Sequence, residues 1–239
     1  MNQYSATSNM SSQAVAEETA RFMSGVYRWM TIGLGVTALI SYYVSQSQSM
    51  LQFILGNKVV FYGLIIAQLA AVIVLSAFVQ KMSAIVATLI YLFYASLTGL
   101  TLSFIFVVYT QSSILSAFLT TCFSFAGLSA FGYVTKRDLG PIGTFCHMGL
   151  WGLIGFGILS WFFPSLMGPA SSKVYSLAGV LIFSGLTAYD TQKIKNSNIL
   201  GNEGTEEDHK ETIIGALTLY LDFINLFLML LRLMGDRRR

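Results

Sequence analysis

Charged side chains are scarce in this chain of 239 residues: Asp, Glu, Lys and Arg make up 10% of it, against about a quarter in soluble domains. Between Trp29 and Thr135 the charges are Lys58 and Lys81 alone, each at a boundary between apolar runs. So few charges cannot solvate a globular surface, which excludes a soluble domain. The net charge of +3 is small and scattered, which argues against a nucleic-acid partner. Cysteine is nearly absent. Cys122 and Cys146 lie in or beside apolar runs, offer neither a disulfide framework nor a metal-ligand spacing, and read as small hydrophobes. Of the two histidines, His147 reads as a packing residue at the start of a span and His209 as a loop residue. Metalloprotease, phosphate-loop and nucleophile-elbow motifs are all missing, so no enzymatic activity is expected.

What is present is apolar sequence, 54% of the chain. It divides into seven segments near 27–45, 58–79, 82–108, 114–134, 144–163, 174–194 and 212–234. Each is close to the ~20 residues that carry a helix across ~30 Å of hydrocarbon, and none alternates as barrel strands do. The expected fold is all-α: a polytopic membrane protein, a bundle of seven transmembrane helices forming a single transmembrane domain over 21–236. Residues 1–20, rich in Ser, Gln, Asn and Ala, read as a mobile polar tail. Arg21 and Arg28 precede the first apolar run, but with so long a tail and no small-residue cleavage site that run reads as an uncleaved helix. The third segment is long enough to tilt, the fifth ends at Phe163-Pro164, and 195–211 is the one long connector. Trp29 and Trp161 suit membrane interfaces, whereas Trp151 is expected in the interior. Glycines at spacings of three and four, Gly149, Gly152 and Gly155 among them, predict smooth helix faces for close packing.

Basic residues set the orientation. With the N-terminus in the cytoplasm, that side carries Arg21, Arg28, Lys81, Lys136, Arg137, Lys193, Lys195 and Lys210, and the other side only Lys58 and Lys173 before the last segment. Arg232, Arg237, Arg238 and Arg239 oppose this pattern; the length and leucine content of 212–234 nevertheless predict a full crossing rather than a re-entrant turn.

Two acids interrupt the apolar sequence. Asp222 sits near the middle of the last segment, where an ionisable side chain costs at least about 2.5–3.5 kcal/mol. Asp190 lies near the end of the preceding one. Their settings, Leu186-Thr187-Ala188-Tyr189-Asp190-Thr191-Gln192 and Leu217-Thr218-Leu219-Tyr220-Leu221-Asp222-Phe223-Ile224-Asn225-Leu226-Phe227, closely resemble the Bax inhibitor-1 (transmembrane Bax inhibitor motif) family, bacterial members in particular. The resemblance covers about residues 20–236, with its specificity in these last two motifs. It implies a helical bundle with the acidic last helix near its centre, in a bacterial inner membrane. It also implies a pH-sensitive calcium leak in which Asp190 and Asp222 match the family's paired aspartates. Family members are further described as cell-death suppressors in eukaryotes and modulators of membrane proteolysis in bacteria. The acidic connector 195–211 is longer than in compact members.

Helical spacing places Thr218, Asp222, Asn225 and Met229 on one face, with Phe223, Phe227 and Leu230 opposite, and clusters Thr187, Asp190, Thr191 and Ile194. No Lys or Arg lies mid-span to neutralise either acid. Two such carboxyls brought together titrate as one unit and can share a proton. Protonated, the pair is neutral and closed; deprotonated, it repels itself and attracts a divalent cation. Calcium takes six to eight oxygens, of which two carboxylates give at most four; Thr191, Thr218, Asn225, carbonyls or water would complete the shell. So incomplete a site suits transient passage, with calcium as the permeating ion and no resident cofactor. An intramembrane aspartyl protease is disfavoured, since Leu219-Tyr220-Leu221-Asp222 stands where those enzymes need Gly-x-Gly-Asp. Two alternatives remain: transport of protons or another solute, and a non-transporting regulator that binds a membrane protease or another membrane protein, the two acids then being a structural hydrogen-bonded pair.

Overall fold

The computed structural model describes residues 11–238. They are helical, with an isolated bridge between Tyr109 and Arg237 as the sole β contact among them. The helices are α1 (Ser12–Ser45), α2 (Gln48–Gly56), α3 (Lys58–Phe78), α4 (Ala84–Leu102), α5 (Ile105–Val108), α6 (Gln111–Val134), α7 (Gly140–Phe162), α8 (Pro169–Ser197) and α9 (Glu206–Met234).

Their starts follow from local chemistry. Side-chain oxygens of Ser11, Ser47, Asn57, Ser83 and Thr110 accept the orphan N–H groups of α1, α2, α3, α4 and α6, and Thr205 does the same for Asp208 in α9. Glu206, Glu207 and Asp208 in the first turn of α9, with Arg232 in its last, complement the helix dipole. Pro164 stops α7, because the residue before a proline avoids the helical region.

Five stretches are long and apolar enough to cross a membrane: Lys58–Lys81, Ala84–Val108, Gln111–Val134, Gly140–Phe162 and Glu206–Met234. The helices α1 and α8 have the length but are diluted by Ser, Thr, Gly and Tyr. Composition and length therefore establish fewer spans than the seven drawn from the sequence. Only 6% of the membrane-length window in Lys58–Lys81 is buried, and 17% of that in Gly140–Phe162. Val59, Phe145, Met148 and Trp151 stand with 70–81% of their surface exposed. Apolar surface on that scale needs a hydrocarbon solvent. Trp151 thus belongs to the outer surface, against the expectation of an interior place: it lies on the face of α7 opposite Cys146 and Leu153, which are buried.

Three further stretches differ from the sequence-based expectation. The tail expected over 1–20 is helical from Ser12 on, and its first ten residues lie outside the described part. The long connector of 195–211 shrinks to 198–205, with Gly201 and Gly204 at positive φ of 86° and 74°. The third segment breaks after Leu102, where Ser103 turns its hydroxyl onto the Leu100 carbonyl.

The chain forms two compact units. One holds the residues up to Val107 together with Ile194–Tyr220. In it α1 and α4 pack closely. A Cβ on Gly33 would collide with the Tyr91 hydroxyl, and Thr37 donates a hydrogen bond to the Ala95 carbonyl at 2.8 Å. The connector is tied to α1, since Glu18 accepts from the Gly201 N–H at 2.7 Å and Arg21 pairs with Glu203. Glu206 accepts the Ala84 N–H at 2.9 Å, at the start of α4.

The other unit holds Val108–Lys193 and the residues from Leu221 on. Cys146, Leu153, Phe183, Leu186 and Leu226 form its core, and Phe223 packs edge-on against Phe118 and Phe125. The end of α9 is fastened to the start of α6: the Thr110 N–H donates to Asp236 O, the Arg238 N–H to Val108 O and the Asp236 N–H to Ser113 Oγ, at 2.9–3.1 Å. Arg232 donates to Ser172 near the start of α8 and covers the Tyr175 ring at 5.1 Å. α9 therefore runs straight through this unit and does not fold back.

Contact between α6 and α8 depends on Gly132, whose missing Cβ would strike the Ala188 carbonyl oxygen. Gly132→Ala should destabilise the protein by about 1–3 kcal/mol, through overpacking against rigid backbone. Gly127→Ala, which meets nothing within 4 Å, should change stability by no more than about 0.5 kcal/mol. Thermal unfolding of the two variants in detergent measures the difference.

Candidate functional site

Asp190 on α8 and Asp222 on α9 come together in the second unit, 7% and 5% exposed, with their carboxyl groups hydrogen-bonded to each other. Two carboxylates are acceptors only, so this bond exists only when one of them carries a proton. Oδ2 of Asp222 is fully buried and receives no hydrogen bond from any described amide, hydroxyl or cation. A proton shared with Asp190 would relieve this, since an isolated carboxylate with no donor is among the costliest groups to bury.

The surroundings brace the pair without neutralising it. The Thr191 hydroxyl gives its one hydrogen to the Thr187 carbonyl at 2.7 Å, so Ser129 of α6, 3.2 Å away, donates to Thr191. Gln192 is bonded at both ends of its amide, accepting from the Leu139 N–H and donating to the Arg137 carbonyl, each at 2.9 Å. That clamp fixes the turn into α7 against α8. The face of α7 presented to Asp190 carries Cys146 and His147, both close enough to interact with it electrostatically; Lys193, three residues along α8, does so as well. His147 Nδ1 donates to the Gly143 carbonyl at 2.8 Å, which leaves Nε2 free, and its ring meets Tyr189 edge-on at 5.9 Å.

The residues expected to support the acids behave differently from one another. Thr191 lies beside Asp190 but has its hydrogen committed to its own helix. Thr218 and Asn225 bond back along α9, to the carbonyls of Ile214 and Leu221 at 3.0 and 2.8 Å, and neither donates to a carboxyl. Phe223 and Phe227, expected on the opposite face, are buried in aromatic packing and do not meet lipid. His147 and Gln192 are the site residues that sequence patterns did not identify. His147 lies about seven residues from the start of α7, as Asp190 does from the end of α8; equal depth on consecutive antiparallel helices was the available signal.

Among the described residues, no group of three or more His, Cys, Asp or Glu side chains could hold a metal ion. The site offers two carboxyls and a buried oxygen that no described donor reaches, which is the chemistry of proton exchange.

This arrangement occurs in a chain with close relatives. The family model described as Inhibitor of apoptosis-promoting Bax1 matches residues 19–239, and so covers both acidic helices. The inner membrane protein YbhL of Escherichia coli K12 is 48% identical over 218 residues, 91% of this chain and 92% of that protein. An uncharacterized protein of Borreliella burgdorferi is 40% identical over 218 residues, 91% and 93% of the two chains. An uncharacterized membrane protein of Streptococcus pyogenes serotype M3 is 35% identical over 217 residues, 90% and 92% of the two chains. A family match over nearly the whole chain, with relatives this similar end to end, makes the protein a member of the Bax inhibitor-1 family of membrane proteins.

Proposed function

We propose that this protein is a pH-sensitive calcium leak of the inner membrane, gated by the Asp190–Asp222 pair. The observation that carries the reading is the buried carboxyl pair, with an unpartnered oxygen on Asp222. At acidic pH the pair keeps its proton, is neutral, and closes the path. As pH rises the proton leaves and two negative charges face each other. At ~4 Å and an effective dielectric near 20 they repel by about 4 kcal/mol, enough to drive them apart or to draw in a divalent cation. Calcium fits as cargo rather than as a resident ion, because two carboxylates supply at most four of the six to eight oxygens it prefers. Flux therefore increases with pH. Thr191, Thr218 and Asn225 have carbonyl or hydroxyl oxygens within their helices that a passing ion could borrow.

In this reading the seven long helices α1, α3, α4, α6, α7, α8 and α9 all cross the bilayer, with α9 central, the N-terminus in the cytoplasm and the C-terminus outside. Supporting it are the basic residues counted above and the fastening of the end of α9 beside the starts of α6 and α8. The inner-membrane assignment is supported by the name of the Escherichia coli relative. An alkaline phosphatase fused after the last residue should be active and a cytoplasmic reporter at the same place silent; the reverse result places the C-terminus inside and removes the crossing.

The leak is tested in proteoliposomes by calcium flux from acidic to mildly alkaline pH. Asp222→Asn keeps the shape and gives Asp190 a permanent amide donor, so flux at the alkaline end should fall about tenfold or more and lose its pH dependence; one such factor is about 1.4 kcal/mol. Asp190→Asn should act likewise. Folded, inserted protein with no flux above empty vesicles would favour instead a non-transporting regulator that binds a membrane protease or another membrane protein.

A further inference from the structure

We infer that the cavity framed by the first turns of α1, the connector and the start of α9 binds a free α-amino acid, its carboxylate at Arg28 and its ammonium at Glu18 and Asp208. The cavity lies wholly within the first unit, so this site is independent of the carboxyl pair and of the leak.

Its volume is about 240 Å³. That is room for about eight waters, and less than the roughly 300 Å³ at which drug-sized pockets begin, so the occupant is a small molecule. The walls are held by bonds within the unit. Glu18 takes the Gly201 N–H, Arg21 pairs with Glu203, and Asp208 accepts the Gly204 N–H at 3.0 Å. With those bonds made, the polar groups left facing the cavity fall into two sets.

The first set donates. Arg28 pairs with no acid among the described residues. Asn198 Nδ2 is buried and bonded to no described group. Thr212 is 7% exposed, and its hydroxyl likewise has no described partner. The second set accepts. Glu18, 8% exposed, and Asp208 each keep one carboxylate oxygen that no described donor reaches. His209 joins them by elimination. Thr88 gives its one hydrogen to the Ala84 carbonyl at 2.9 Å, so His209 Nε2, 3.0 Å away, is the donor to Thr88. In the neutral ring Nδ1 is then an acceptor, and Trp29 steadies the ring edge-on at 5.7 Å.

These two sets decide between ligand classes. Glu18, Glu203 and Asp208 outnumber Arg21 and Arg28 by one charge, which disfavours a simple anion. A simple cation leaves the donors of the first set unanswered, and a metal ion lacks the three His, Cys, Asp or Glu ligands it would need among the described residues. A zwitterion answers both sets. Its carboxylate suits the planar fork of a guanidinium, with amide and hydroxyl donors beside it. Its ammonium has three hydrogens for the three acceptors of Glu18, Asp208 and His209. Phe22 and Trp29 offer the amino acid's own side chain an apolar wall.

The test is isothermal titration calorimetry of the full chain in detergent micelles with the common L-amino acids, one at a time. At least one should bind with a Kd of about 1 mM or tighter. Its two halves, which for alanine are ethylamine and propionate, should each bind about tenfold more weakly or worse, because each leaves charged groups unanswered. Phosphoethanolamine, the zwitterion of a lipid headgroup, should bind more weakly than the amino acid, since its phosphate brings extra negative charge to an acidic cavity. Arg28→Gln alters an exposed side chain and should weaken the amino acid about tenfold or more. Asp208→Asn, which keeps an acceptor for the Gly204 N–H, should do the same. Folded protein that binds no amino acid overturns the assignment, and so does an unaltered Kd in Arg28→Gln. Propionate or ethylamine binding as tightly as the whole makes this an anion or a cation site, and tighter binding of phosphoethanolamine gives it to lipid; each of these results also overturns it.

Discussion

A carboxyl group buried without a cation must be neutral or must share its charge, and much of the second unit is arranged around that requirement. Among the described residues no amide, hydroxyl or ammonium reaches Asp222 Oδ2, which leaves a proton-bearing bond to Asp190 as its relief. Such a bond is short-ranged, so α8 has to be held at a fixed place. The missing side chain of Gly132 admits the Ala188 backbone, Ser129 donates to Thr191 one residue from the acid, and Gln192 locks the entry to α7 two residues from it. Small residue, hydroxyl and amide each act within one turn of Asp190, and none brings a formal charge.

Neutral bracing has a consequence for response. A fixed Lys or Arg in contact would hold Asp222 ionised at every accessible pH and leave nothing to titrate. The charges that do reach Asp190, from His147 and Lys193, come from exposed side chains and act through a partly solvated surface. Asp222 feels its burial first and its partner acid next. Other charges thus reach the pair through Asp190.

The cost of a charge in hydrocarbon made both acids visible in the sequence, because so few residues compete for attention in an apolar chain. Hydropathy likewise located the helix Lys58–Phe78 to within a residue, drawn as 58–79, and began Gly140–Phe162 four residues late, drawn as 144–163. Other features were hidden for specific reasons. Helical spacing placed Thr218 and Asn225 on the same face as Asp222, but a hydroxyl or amide can equally bond the carbonyl one turn back, and both do. Residues 12–20 have a composition that suits a tail; their helix is secured by Glu18 reaching Gly201, a partner 183 residues away. The same contact, with Arg21 and Glu203, shortens the acidic connector. Trp151 looked internal because its segment is apolar all round, which leaves no periodicity to separate the buried face from the lipid-facing one. His147 was overlooked because nothing in its own segment marks it, and only the depth it shares with Asp190 on the next helix does.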